Sequence, residues 1–295
     1  IAKDLDLDIF HGLSQELPFC IKKSEAKKIV TIHDLIAFHP DYAHEWFNTF
    51  FYKRKIKHAI NNASVIIAIS QQTADDLKQN FHIDEKKLHI IYQPVDSSFF
   101  KRVDDETKRK ISEKYNLPAR YILQPGNLQY RKNHLLVINA LKEYPNQDLH
   151  YVIVGKPEKY LKTLQATVNT HQLQNRIHFL FEVPTTDLPA LYQMSQCVIY
   201  PSLIEGYGLP IVEAMASYVP IITSKGGCFE EAGGKAAWYI NPQNSEELVS
   251  ALHLVLSKNE EVERRLQEGL QKASLIKAPQ MADTYMQVYT STSLT

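Results

Sequence analysis

The feature that most constrains this chain is a regular alternation of short apolar runs with longer stretches of helical periodicity. Parallel strands joined by crossover helices are the arrangement that buries such a pattern. Early in the chain the strand candidates are Leu7 to Leu13, Lys28 to Asp34, Val65 to Ser70 and Leu88 to Tyr92. A charged stretch from Lys101 to Asn116, closed by Leu117-Pro118, interrupts the series and places a boundary near residue 100. The second series runs through Arg120 to Gln124, Leu149 to Gly155, Arg176 to Leu180, Cys197 to Tyr200, Pro220 to Thr223 and Ala237 to Ile240. Helical patterns over Ser245 to Ser257, Asn259 to Leu275 and Pro279 to Thr290 follow it. The expectation is an α/β protein with an incomplete Rossmann-like sheet in residues 1–100, a complete doubly wound domain in 101–278 and a terminal helix in 279–295. Open sheets of this kind bind ligands beyond the carboxyl ends of their strands, so function is sought in the loops that follow strands.

Charge and cysteine usage narrow the partners. Lys plus Arg and Asp plus Glu are equal at 33 each, so no global field recruits nucleic acid, and any phosphate must be met by locally placed charge. Cys20, Cys197 and Cys228 show no C-x-x-C spacing, which argues against a disulfide framework or a zinc site and fits a reducing cytoplasm. No apolar run approaches the roughly 20 residues that span a bilayer. The expected place is the cytoplasm, soluble or peripheral at the inner face of the membrane. The stretch Trp46 to Ile60 bears on that choice, because it mixes Phe47, Phe50 and Phe51 with Lys53, Arg54, Lys55 and Lys57. An anionic membrane surface would fit it, but the favoured reading is a solvated basic face over a buried aromatic stripe.

The most informative segment runs from Tyr200 through Pro201-Ser202-Leu203-Ile204-Glu205-Gly206-Tyr207-Gly208-Leu209-Pro210 to Ala216. A strand ends, a glycine-bearing loop follows, and Pro210 stands where a first helical turn begins. Backbone N–H groups around Gly206, Tyr207, Gly208 and Leu209 then converge at a helix N-terminus, which carries about half a positive charge and stabilises phosphate. Glu205 precedes the glycines and Glu213 lies in the first turns of the helix, with seven residues between them, so both carboxylates can flank the same crevice. A carboxylate accepts two hydrogen bonds from a vicinal diol, which suits Glu213 to a ribose and Glu205 to a sugar hydroxyl. Taken singly, Glu213 could merely complement the helix dipole and Glu205 cap a turn.

Upstream, Gly126-Asn127-Leu128-Gln129-Tyr130-Arg131-Lys132-Asn133 joins a strand to a helix in the same predicted sheet. A guanidinium forks onto phosphate oxygens and an ammonium adds a point charge, so Arg131 and Lys132 could offset the charge growing on a departing diphosphate. Adjacent basic residues in a loop are commonly just solvated.

Rival motifs fail on spacing. Gly206-x-Gly208 has Ile211 where a dinucleotide fingerprint needs its third glycine. Gly234-Lys235 has Phe229 where a P-loop needs its first glycine, and Ala236 in place of Ser or Thr. Asp4-x-Asp6-x-Asp8 reads as a surface turn rather than a metal-diphosphate site. With cations from the protein able to do a metal's work, metal independence and no cofactor are expected.

Together, the glutamates Glu205 and Glu213 and the basic pair Arg131-Lys132 resemble glycosyltransferase family 4, the retaining type with two facing Rossmann-like domains. The resemblance covers nearly the whole chain. Thr31-Ile32-His33-Asp34-Leu35 looks like the first-domain loop whose histidine faces the donor sugar, and Ala68-Ile69-Ser70 like a nearby strand end. Gly226 to Glu231 and Asn241-Pro242 look like later loops of the second domain, and Pro279 to Tyr289 like the helix that returns to the first. What the resemblance implies is transfer of a sugar from a nucleoside diphosphate to a glycan or lipid-linked acceptor, with anomeric configuration kept and an oxocarbenium-like transition state. Catalytic roles fall to His33 and Glu205, and donor binding to Arg131, Lys132, Gly206, Tyr207, Gly208, Leu209 and Glu213. The likeness is strongest to bacterial mannosyltransferases, which favours GDP-mannose over a UDP-sugar. The family pattern also includes strands before Leu7 and a glycine-rich loop that this sequence lacks at its start. A nucleotide-sugar-binding module without catalysis, or one subunit of a split enzyme, therefore stays open beside the enzyme.

Overall fold

The computed structural model describes residues 7–42 and 49–290. The expectations for Asp4, Asp6, Trp46, Phe47 and residues 291–295 concern positions outside the described residues. The chain forms two compact units. The first comprises the chain up to Pro94, the short segment Glu205–Tyr207 and the chain from Ala278 onward, and the second comprises Val95–Ile204 and Gly208–Lys277.

In the first unit the order is β1 (Ile9–Gly12), β2 (Lys27–Ile32), α1 (Thr49–Asn62), β3 (Val65–Ala68), α2 (Gln71–Asn80) and β4 (Leu88–Ile90). The strands pair in parallel in the order β1-β2-β3-β4, with Ile9 opposite Lys27, Ile29 opposite Val65 and Ile66 opposite Leu88. Successive side chains point to opposite faces of a strand. Val30, Ile32, Ile66 and Ala68 accordingly pack with Ile56, Ala59 and Ile60 of α1 and Ala74 and Leu77 of α2. Ile29, Val65, Ile67 and Ile91 gather in a separate cluster. Burial on both faces is why these strands read as unbroken apolar runs.

Helix α1 corrects one expectation. Phe50 and Phe51 are 69% and 61% exposed, so the aromatic pair is not a buried stripe. The sequence carries two apolar stripes on this helix, and the sheet takes the aliphatic one, Ile56-Ala59-Ile60, whose i, i+3, i+4 spacing fits the strand surface.

The second unit runs α3 (Asp105–Tyr115), β5 (Tyr121–Pro125), α4 (His134–Glu143), β6 (His150–Val154), α5 (Leu161–Thr170), β7 (Ile177–Leu180), α6 (Leu188–Met194) and β8 (Cys197–Tyr200). It continues through α7 (Leu209–Ala216), β9 (Ile221–Ser224), α8 (Gly227–Gly233), β10 (Trp238–Ile240), α9 (Ser245–Leu256) and α10 (Glu260–Ser274). Its strands are all parallel in the order β10-β9-β8-β5-β6-β7. The direction of winding reverses between β5 and β8, which pair through Ile122–Cys197 and Leu123–Val198. That is the switch point of a doubly wound sheet, and the loops leaving β5 and β8 carry the basic pair and the glycine loop.

Helix α11 (Ala278–Thr290) belongs to the first unit. Its Val288 joins Ile29, Val65, Ile67 and Ile91, covering that face of the sheet. The Lys27 ammonium donates to the carbonyls of Val288 and Tyr289 at 2.9 and 3.0 Å, a cation at the negative end of a helix. Among the described residues, no helix is long and apolar enough to cross a membrane.

Candidate active site

In the second unit, the loop leaving β5 turns at Gly126, whose φ of +133° is a region that disfavours side chains. A 3-10 turn, Tyr130–Lys132, then leads to Asn133 in the left-handed region at φ 58°. The Asn133 amide fixes that turn by donating to the carbonyls of Pro201 (3.1 Å) and Pro242 (2.7 Å), and the Gln124 amide donates to the Lys132 carbonyl at 2.7 Å. The result points Lys132 inward. It is 8% exposed, and its ammonium donates to the Tyr200 hydroxyl at 2.8 Å while lying 4.7 Å from the centre of that ring. Arg131 is half-buried and donates to the Ile204 carbonyl at 3.3 Å. A merely solvated pair is therefore not what the structure contains. Burying an ammonium is costly, and the Tyr200 hydroxyl and ring are among the groups that offset that cost.

The loop leaving β8 reaches α7 through Gly208, at φ 104° the N-cap of that helix, with Pro210 in its first turn. A Cβ on Gly208 would stand 2.9 Å from Ile211 Cδ1 and 3.7 Å from Tyr200 Cε1. Tyr200 thus has the Lys132 ammonium on it and the start of α7 beside it, which gathers a cation and a positive helix end around one ring. Leu209 opens the helix, and Glu213 lies on its second turn. The Tyr192 hydroxyl donates to Glu213 Oε2 at 2.6 Å. Burial nevertheless pushes the Glu213 carboxyl up to about 7, against the lowering effect of Tyr192 and with a smaller upward push from Asp96. His134, just after the basic pair, is buried and bonded to the Tyr151 hydroxyl at 3.0 Å, and burial pushes its imidazole down to about 4. It is neutral near pH 7, so the loop's positive charge there is that of Arg131 and Lys132.

In the first unit, His33 follows the carboxyl end of β2. Its Nε2 donates to the Leu13 carbonyl at 2.8 Å, and its Nδ1 accepts from the Gln93 amide at 3.0 Å. Both ring nitrogens are thus engaged, and a ligand would bond to His33 only by displacing one of them. The segment Glu205–Tyr207 is held beside it. Ser70 and Thr73 hydroxyls donate to the Gly206 carbonyl, the latter at 3.2 Å, and the Tyr207 ring stacks on Tyr92 with centroids 5.2 Å apart. Glu205 is half-buried. A Cβ on Gly206 would collide with the His33 carbonyl oxygen. Gly206→Ala is accordingly expected to destabilise the first unit by about 1–3 kcal/mol, read as a drop in the urea midpoint, and an unchanged midpoint would show that the contact yields.

The first unit thus brings together His33, Glu205, Gly206 and Tyr207, and the second holds Arg131, Lys132, Gly208, Leu209 and Glu213. Sequence reasoning gave no role to Tyr200, Tyr192 or Gln93. Tyr200 stood at the strand end of the informative segment and could have been read as the partner of a buried cation. Tyr192, 21 residues before Glu213 on a different helix, left no local signal. Among the described residues, no group of three or more His, Cys, Asp or Glu is placed to hold a metal ion.

Comparison with known proteins follows the same division. The family model described as Glycosyl transferases group 1 matches residues 104–272, and that described as Glycosyltransferase Family 4 matches residues 1–99. O-antigen chain mannosyltransferase RfbU of Salmonella typhimurium is 26% identical over 223 residues, covering 76% of this chain and 59% of the relative. O-antigen chain mannosyltransferase B of Escherichia coli is 26% identical over 263 residues, covering 88% of this chain and 67% of the relative. The chain thus spans about three-fifths of the length of the first relative. Among solved structures, that of Anabaena HepE in complex with UDP-glucose superposes with a TM-score of 0.80 at 19% identity, covering 92% of this chain and 74% of HepE.

Proposed function

This chain belongs to the glycosyl transferases of group 1, in glycosyltransferase family 4, and from that premise we propose that it moves a sugar from a nucleoside-diphosphate donor to a glycan or lipid-linked acceptor, retaining the anomeric configuration. The observation that carries the donor reading is the buried Lys132 ammonium set with the N-terminus of α7 around Tyr200. A diphosphate bound there would meet a preorganised cation beside a positive helix end, and in the transition state Lys132 and Arg131 would take up the charge growing on the leaving group. Glu213 would accept the two hydroxyls of the ribose. Glu205 and His33 would orient the sugar, His33 after exchanging one of its present partners. No metal is needed for this division of labour, because the protein supplies the cations. We favour a GDP-mannose donor on the names of the mannosyltransferase relatives, with a UDP-sugar as the alternative that HepE suggests.

The test is calorimetric titration of the chain with UDP, GDP and ADP, with and without Mg²⁺, repeated on Glu213→Ala and Arg131→Ala. The expected result is selective binding of one nucleotide, indifferent to Mg²⁺. The affinity should fall about tenfold or more in each variant, a charge-assisted hydrogen bond being worth about 1.5–3 kcal/mol. Absence of binding to all three nucleotides would end the donor reading.

A further inference from the structure

Behind Glu213 lies Tyr192 of α6, a fully buried side chain. Three contacts hold it in place. The Tyr121 hydroxyl donates to the Leu191 carbonyl at 2.7 Å, the Ser195 hydroxyl donates to the carbonyl of Tyr192 itself at 2.7 Å, and the Phe99 ring meets the Tyr192 ring edge-on with centroids 5.2 Å apart. A ring held in this way presents its hydroxyl in one direction, to Glu213 Oε2 at 2.6 Å. Burial first, and the neighbouring carboxylate after it, push the phenol well above its ordinary range, so it keeps its proton and donates it to that oxygen. Among the described residues, the other ionisable group that acts on Glu213 is Asp96, which caps the 3-10 turn Ser97–Phe100 and carries charge of the same sign. The elements β8, β9, α8 and α10 also pack on α7, and none of them sets a charged group against this carboxyl; the Tyr200 phenol of β8 adjoins Tyr192 instead.

We propose that Tyr192 is a positioning residue that aims Glu213 at the ribose of the nucleotide, its hydroxyl holding Oε2 so that Oε1 and the second lone pair of Oε2 are left to the vicinal diol. This rests on the donor reading above and adds to it the element that selects a ribonucleotide. With no exposed surface, Tyr192 cannot touch a ligand and acts through Glu213 alone. An ionised carboxylate accepts on both oxygens, so one can serve the phenol while the other serves the diol. When the carboxyl takes up a proton, Oε2 still faces a donor. The proton therefore sits on Oε1 and turns the ligand-facing oxygen from an acceptor into a donor. Because the phenol bonds to the ionised form, it favours that form and keeps Oε1 an acceptor to lower pH. Tyr192 thus sets both the direction of the carboxylate and the pH at which the ribose contact is made.

The test is calorimetric titration of the full chain and of Tyr192→Phe with GDP, UDP and their 2′,3′-dideoxy analogues across neutral pH, alongside urea unfolding over the same range. In Tyr192→Phe the ribonucleotide that the parent prefers should bind about tenfold more weakly near neutral pH, and the pH at which binding sets in should rise by about one to two units, the loss of a hydrogen bond to a charged group. The dideoxy analogue should bind parent and variant alike. In a Glu213→Ala background, Tyr192→Phe should leave the affinity as it is, whereas a general loosening of the fold would weaken binding in both backgrounds. Unfolding reads the same bond without a ligand. The fall in stability with rising pH, which ends near pH 7 in the parent, should continue about one unit or more further in Tyr192→Phe. Unchanged pH profiles in Tyr192→Phe, equal losses in both backgrounds, or an equal loss with the dideoxy analogue would overturn the proposal. A parent that binds none of these nucleotides would end the donor reading and this inference with it. A parent that binds, while Tyr192→Phe keeps its profile, would end this inference alone.

Discussion

Lys132→Met is expected to lower the rate of sugar transfer by about 10²–10³-fold, the usual loss when one preorganised group opposite a developing anion is removed. Methionine approximates the length and volume of the lysine stem, so the space beside Gly126 and Tyr200 stays filled. Stability should be unchanged or higher, because replacing a buried charge by an apolar side chain of similar volume is often neutral or stabilising. Lost activity with retained or raised stability is what distinguishes a working cation from a packing one. Steady-state transfer assays and urea unfolding of parent and variant provide the two readouts. A variant that transfers sugar at the parental rate but unfolds more easily would show that Lys132 serves the fold alone.

Glu213 should make both stability and nucleotide affinity depend on pH, in opposite directions. Its carboxyl is raised from 4.5 to about 7 in the folded chain, so the folded state holds the proton more tightly than the unfolded state. Its contribution is therefore fully favourable below pH 4.5 and is lost as pH rises to about 7. The loss amounts to about 3 kcal/mol at roughly 1.4 kcal/mol per unit. Glu213→Gln should remove this dependence and be more stable than the parent at pH 8 while matching it near pH 4. Ribose hydroxyls, by contrast, donate best to the ionised carboxylate, so nucleotide binding should strengthen about tenfold between pH 6 and 8 in the parent and stay flat in Glu213→Ala. Denaturant curves and calorimetry at both ends of the range check this, and a parent whose stability tracks that of Glu213→Gln throughout would show that the carboxyl is not perturbed.

The strands were legible because both sheets are parallel and covered, which leaves short apolar runs between helical patterns. Each predicted run overlaps an observed strand, as Val65 to Ser70 does β3 and Cys197 to Tyr200 does β8. The loops at the β5–β8 switch point were legible for the same reason, since a strand end, a glycine and a helix start are all local signals. The exposure of Phe50 and Phe51 was not. Periodicity shows that a helix has an apolar stripe, but where two stripes compete only the sheet beneath decides which is buried. Partners of the site residues were hidden for another reason: Gln93 on His33 and Tyr192 on Glu213 are separated from them by 60 and 21 positions. The grip of Ser70 and Thr73 on Gly206 is directed at a carbonyl, which any residue would offer.

The first unit closes late. The apolar face formed by Ile29, Val65, Ile67 and Ile91 is covered by Val288 of α11, whereas its own strands are synthesised long before that helix. At ordinary translation speeds the interval between Ile91 and Val288 is roughly 10–40 s. The whole second unit emerges during that time, with one side of the parallel sheet still open to water. A nascent chain in that state presents a surface that chaperones and proteases recognise, so the yield of folded protein should respond sharply to the speed of its own translation and to holdase capacity in the producing cell.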